Sequence, residues 1–74
     1  MDFDTLKNLI VETLGCEPED VNMDTNLIED LEADSLDAVE VNMAIEEETG
    51  IAIPDEKMAE LRTVKDILDY LASR

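Results

Sequence analysis

No histidine occurs in this 74-residue chain, and Cys16 is its single cysteine. Without imidazole, a serine or cysteine nucleophile lacks its usual general base, and the common zinc ligand sets cannot be completed. One thiol also rules out an intramolecular disulfide, so Cys16 reads as a small apolar residue just past a helix end. Tryptophan is missing, and Phe3 and Tyr70 are the only aromatics, so any core must be aliphatic and methionine-containing. No apolar run reaches membrane-spanning length and no signal-peptide pattern is present. Cytoplasmic residence is therefore expected, or an organelle after loss of a transit peptide, with no membrane insertion. Positive charge is the scarcest property: five Lys and Arg stand against 21 Asp and Glu, a net charge of −16. From Asn8 to Glu56 there is no Lys or Arg, yet that stretch holds 16 of the acids. Such a surface repels nucleic acid and anionic lipid. It suits basic protein surfaces, bound by association that weakens as salt rises. Self-repulsion should strain the fold, so salt, divalent cations or mild acid are expected to stabilise it.

Enough apolar residue is present to fold nonetheless. At 45% hydrophobic against 35% charged, the chain falls outside the disordered class. Seventy-four residues make one domain, 1–74, near the lower size at which a core alone suffices. Phe3, Leu6, Ile10 and Leu14 recur at helical spacing, so a first helix is predicted from about Asp4 to Leu14. Asp2 or Asp4 can cap its start, and Gly15 suits its end. Cys16 to Ala33 carries Pro18, several Asp and Asn, and little periodicity. It reads as a long loop, functional or holding a short helical turn, pinned by Val21, Met23, Leu27, Ile28 and Leu31. A second helix starts at Asp34 or Ser35, with Asp34 as cap and Asp37 three residues on, and ends before Gly50. Ile51-Ala52-Ile53-Pro54 is an extended link, because Pro54 disfavours helix at Ile53. Asp55 is expected to cap a short third helix to about Leu61. Thr63, with Asp66 three on, starts a fourth to about Ala72, burying Val64, Ile67, Leu68 and Leu71. The predicted class is all-α: a small four-helix bundle with three longer helices, a short third one and a long first loop.

The second helix carries two apolar stripes. Ala38, Val41 and Ile45 fall on one side, with Asn42 and Thr49 close by; Leu36, Val39 and Met43 fall on another, edged by Glu40, Glu46 and Glu47. Burying carboxylates is costly, so the acid-poor stripe is the better core. The mixed stripe then becomes a docking face, with acids steering a basic partner and apolar side chains supplying desolvated contact. The pattern alone does not exclude the reverse assignment, with the glutamates as a solvated rim. At the head of this helix stands Ser35. A serine after Asp at a helix start is most often part of a cap. This one is a poor nucleophile, having no His and no Gly-rich oxyanion loop, but it is a good acceptor. A phosphodiester on its oxygen would meet the free amides and dipole of the helix N-terminus, and Asp34 and Asp37 would turn it outward.

Asp34-Ser35-Leu36-Asp37, then Glu40, Met43-Ala44, Glu46-Glu47-Glu48, Ile53-Pro54-Asp55-Glu56 and Thr63-Val64, form an ordered set from Phe3 to Leu71 that resembles the acyl carrier proteins. The set closely resembles the discrete carriers of bacterial-type fatty acid synthesis. The resemblance implies that Ser35 carries 4′-phosphopantetheine, attached covalently from coenzyme A by a separate Mg²⁺-dependent transferase. Acyl groups would ride on the arm as thioesters, and the chain itself would be no enzyme and would hold no metal. It further implies that Asp34, Leu36, Asp37, Val39, Glu40, Met43, Glu47 and Glu56 meet basic surfaces of the transferase and the acyl-processing enzymes. Ile45, Ile53, Met58, Leu61 and Ile67 become the walls of an acyl pocket, in a protein expected to be monomeric.

Three positions depart from the family pattern: Glu32 stands where Gly is usual, Thr49 where an aromatic is common, and Asn42 where an aliphatic is typical. They leave open a specialised carrier, for a polyketide or aminoacyl group instead of a fatty acyl one. An acidic interaction module without a prosthetic group, mimicking nucleic acid to block basic proteins, is the rival from another class. A calcium loop beginning at Asp24 is disfavoured, because Glu29 falls where its Gly belongs and Ser35 where its bidentate Glu belongs.

Overall fold

The computed structural model describes residues 1–73, and among these the chain forms four α-helices. Helix α1 spans Phe3–Leu14, α2 Ser35–Thr49, α3 Asp55–Met58 and α4 Val64–Ala72, with a 3₁₀ turn at Pro18–Asp20 inside the long first connection. Each boundary has a chemical cause. Asp2 caps α1 by accepting from the Thr5 amide at 2.9 Å. Hydrogen bonding from Thr5, its side chain first and then its backbone, holds the Asp2 carboxyl below the usual carboxylate range. Gly15 and Gly50 end α1 and α2 in the left-handed conformation that only glycine adopts freely. Thr63 and Asp66 form a reciprocal capping box at the start of α4.

The third helix differs from expectation. Asp55 is its first helical residue and caps nothing; the Pro54 carbonyl instead opens the helix by accepting from the amides of Lys57 and Met58. Regular helix ends at Met58, three residues short of Leu61. The amides of Glu60 and Leu61 tighten onto carbonyls three residues back, as helix ends commonly do.

Leu6 and Ile10 of α1, Val41 and Ile45 of α2, and Val64, Ile67 and Leu71 of α4 meet in one buried cluster. Ile53, Met58 and the loop residues Val21, Leu27 and Ala33 close it. Leu68 is only half-buried, and Phe3 and Tyr70 pack at the margin, so the centre is aliphatic. Cys16 is half-buried against the same cluster, and burial pushes its thiol pKa up.

The long connection is held mainly by hydrogen bonds. Thr25 is buried, accepting from the Asn22 amide and donating to the Asp20 carbonyl. The amides of Leu27, Val64 and Lys65 bond to the carbonyls of Arg62, Thr25 and Met23, and Asn26 forms an antiparallel bridge with Thr63. Of the five apolar residues expected to pin this loop, Val21 and Leu27 are buried and Leu31 half-buried. Met23 and Ile28 are corrections: both are exposed, because the backbone at 23 and 28 is secured by hydrogen bonds to Lys65 and Asn26.

Glu32 is the one non-glycine residue at positive φ among those described, at 57°. The turn expected of a glycine is therefore made by an acid in a strained conformation. Glu32→Gly is expected to relieve that strain and remove one of the excess negative charges, outweighing the added freedom of the unfolded chain. A rise in melting temperature of about 4 °C, from about 0.5–1 kcal/mol, is the expected result in thermal denaturation. An unchanged or lower value would mean that the Glu32 side chain itself holds the turn.

Candidate attachment site at the head of the second helix

Ser35 is the first residue of α2, and its neighbours are committed to the helix end. The Asp34 carboxylate accepts from the Asp37 amide at 3.0 Å, and the Asp37 carboxylate accepts from the Asp34 amide at 3.2 Å. This reciprocal box turns both acids inward onto the backbone. Ser35 takes no part in it. Its side chain is exposed, and its hydroxyl has no hydrogen-bond partner among the described residues. Just before it, Ala33 is buried and its amide donates to the Leu27 carbonyl, so a closed loop from 27 to 33 delivers the serine to the surface. Asn26 braces that loop: its side-chain oxygen accepts from the amides of Ile28 and Glu29, and its own amide donates to Asp30.

The two faces of α2 separate cleanly. Val41 and Ile45 are fully buried and Ala38 half-buried, whereas Leu36 is 72% exposed, Met43 59% and Val39 47%. Glu40 and Glu47 are exposed around them, Asp34 is exposed, Asp37 is half-buried by its capping role, and Glu56 is exposed on α3. Three large apolar side chains therefore stand in water among carboxylates, where a soluble surface ordinarily keeps such groups scattered.

An open groove of about 690 Å³ runs beside Ser35. Leu27, Ile28 and Ala33 of the loop, Ala38, Val39 and Asn42 of α2, and Met58, Ala59 and Leu61 at α3 border it, with Glu29, Asp34, Asp55 and Arg62 also contributing. Its size lies within the range of small-molecule sites. Of the five residues expected as pocket walls, Met58 and Leu61 line this groove. Ile45, Ile53 and Ile67 do not; they are sealed at 0–2% exposure in the buried cluster shared by α1, α2 and α4.

Asn42 is the residue whose role the sequence does not disclose. Its side-chain nitrogen donates to the Ile53 carbonyl at 2.7 Å, and its oxygen accepts from the Ile53 amide at 3.3 Å. A polar residue on the core side of an amphipathic helix is the available signal. Thr49 is likewise used: its hydroxyl donates to the Ile45 carbonyl and accepts from the Ile51 amide.

A small acidic helical protein with a bare serine at a helix head, an apolar-and-acidic face and an adjacent groove has the architecture of a carrier. The phosphopantetheine attachment site family matches residues 4–71. An acyl carrier protein of Bdellovibrio bacteriovorus is 48% identical over 69 residues, covering 93% of this chain and 88% of that one. Another, from Wolinella succinogenes, is 46% identical over 69 residues (93% and 91%), and one from Thermosynechococcus vestitus 44% over 72 residues (97% and 89%). The chain belongs to the acyl carrier protein family, whose members carry acyl groups as thioesters on phosphopantetheine. No helix among the described residues is long and apolar enough to cross a membrane.

Proposed function

We propose that Ser35 is the attachment point of 4′-phosphopantetheine and that residues 1–74 act as one carrier domain in fatty acid synthesis. The observation that carries this is the Ser35 hydroxyl itself: exposed, unpartnered among the described residues, and placed at a helix N-terminus with a groove alongside. A phosphodiester there benefits from the positive end of α2. Asp34 and Asp37 keep their charge while capping the helix, so the phosphate points outward, away from them. The prosthetic group supplies a terminal thiol on which acyl groups are held; everything else falls to the protein.

The chain's part is display, docking and shelter, not catalysis. Tethering raises the local concentration of cargo at each partner's active site. Leu36, Val39 and Met43 offer apolar contact, with about 1.5–3 kcal/mol available from fully burying a side chain of this size. Asp34, Asp37, Glu40, Glu47 and Glu56 steer basic surfaces of the transferase and acyl-processing enzymes, contributing more to the rate of encounter than to affinity. The apolar lining of the groove, Leu27, Ala33, Met58 and Leu61 in particular, can cover the start of an acyl chain. A cytoplasmic monomer meeting its partners in turn suits this role.

Incubation with octanoyl-coenzyme A, Mg²⁺ and a phosphopantetheinyl transferase tests the reading by intact mass. One acylated arm should be added per chain, and hydroxylamine should remove the acyl group while leaving the arm, as a thioester requires. A chain whose mass stays unchanged under these conditions is not this kind of carrier.

A further inference from the structure

Asn42 stands between the open groove and the closed core. It borders the groove beside Ala38 and Met58, and its amide grips Ile53 through both the carbonyl and the N–H of that residue. Ile53 is 2% exposed, and the next residue, Pro54, has no N–H to offer. The connection from α2 to α3 is thus fastened to the middle of α2 by one side chain, with donor and acceptor both satisfied.

We propose that Asn42 is a specificity-determining latch that confines cargo to the groove, so that only the first carbons of an acyl chain are sheltered and the rest of a longer chain stays outside the core. The inference rests on the reading that Ser35 bears the cargo and that the groove shelters it. A chain growing inward past Ala38 must part α2 from Ile53 before it can reach the space around Ile45 and Ile67. Doing so leaves the Asn42 amide and the Ile53 peptide groups facing hydrocarbon, an equilibrium penalty on the order of 100-fold. Each methylene removed from water returns about fourfold. About three methylenes beyond Asn42 are therefore needed merely to break even, and up to that length entering the core yields no gain. An aliphatic residue at this position would impose no such threshold.

The test uses the intact chain loaded with butanoyl, octanoyl or decanoyl arms from the corresponding coenzyme A esters, each confirmed by intact mass. Two quantities are read: melting temperature and the hydrogen-exchange protection of the Ile53 amide. In the wild type, melting temperature should rise with the butanoyl arm and stay level from octanoyl to decanoyl, with Ile53 protection constant within about twofold. In Asn42→Leu, it should continue to climb from octanoyl to decanoyl by about 8 °C. Parallel slopes in the two proteins, or a tenfold loss of Ile53 protection in the loaded wild type, would overturn the latch. Should Asn42→Leu fail to fold, the wild-type exchange measurement decides alone. If no arm is added to the wild type at all, the carrier reading falls and the latch with it; successful loading with the wrong length dependence sinks the latch only.

Discussion

Ser35→Ala is expected to abolish every gain in mass from coenzyme A and a transferase while leaving the melting temperature within about 2 °C of wild type. The first half follows from chemistry: alanine has no oxygen on which a phosphodiester could form. The second follows from the division of labour at the head of α2. Asp34 and Asp37 make the cap, and the Ser35 hydroxyl bonds to nothing in the described residues, so its removal exposes no unsatisfied partner. Alanine is also the better helix former, by a few tenths of a kcal/mol. Asp34→Ala gives the contrasting result. Loss of the cap should cost about 1 kcal/mol, or about 5 °C in a domain of this size. Residual modification of Ser35→Ala would move the attachment point elsewhere, and a large drop in its melting temperature would mean that the serine is structural.

Raising NaCl from about 0.01 M to about 1 M is expected to raise the melting temperature by on the order of 10 °C. At the lower concentration the screening length is about 30 Å, longer than any dimension of a molecule measuring 28 × 23 × 20 Å. Every one of its excess negative charges then repels every other. At the upper concentration the length is about 3 Å and most of that repulsion is gone. Screening weakens attractive pairs as well, but little is lost. Lys57–Glu60, at 3.3 Å, joins two largely exposed side chains, and such pairs contribute at most about 1 kcal/mol. The end of α2 sharpens the effect, since Glu46, Glu47 and Glu48 crowd its negative pole with no basic residue in the last turn. Thermal denaturation followed by circular dichroism checks it. A melting temperature that is flat or falls across this range would show that the charge is not a burden on the fold.

Helix ends marked by local chemistry are legible in the sequence itself. Gly15 and Gly50 stop helices because of their own φ, and Asp34 with Asp37, or Thr63 with Asp66, start them through bonds spanning three residues. Where the determinants lie farther apart, the residue pattern misleads. Met23 and Ile28 resemble anchors because they are apolar, yet the loop is secured by backbone bonds to residues more than thirty positions away and by a local brace at Asn26. Asn42 has the look of a flaw in an apolar stripe, but its partner Ile53 lies in another segment. Ile45, Ile53 and Ile67 suit pocket walls by being aliphatic and central; packing seals them.

What the amino-acid order decided unaided was charge, helical content and the serine at the head of α2, because these depend on composition, periodicity and contacts a few residues long. Which stripe of α2 faces water was left to the tertiary structure. Both stripes carry aliphatic residues at helical spacing, and only the packing of α1 on α2, which buries Val41 and Ile45 in the shared core, commits Leu36, Val39 and Met43 to the outside. The bareness of the Ser35 hydroxyl and the grip of Asn42 on Ile53 belong to the same category. Each is a relation between segments that the chain's order brings together only once it has folded.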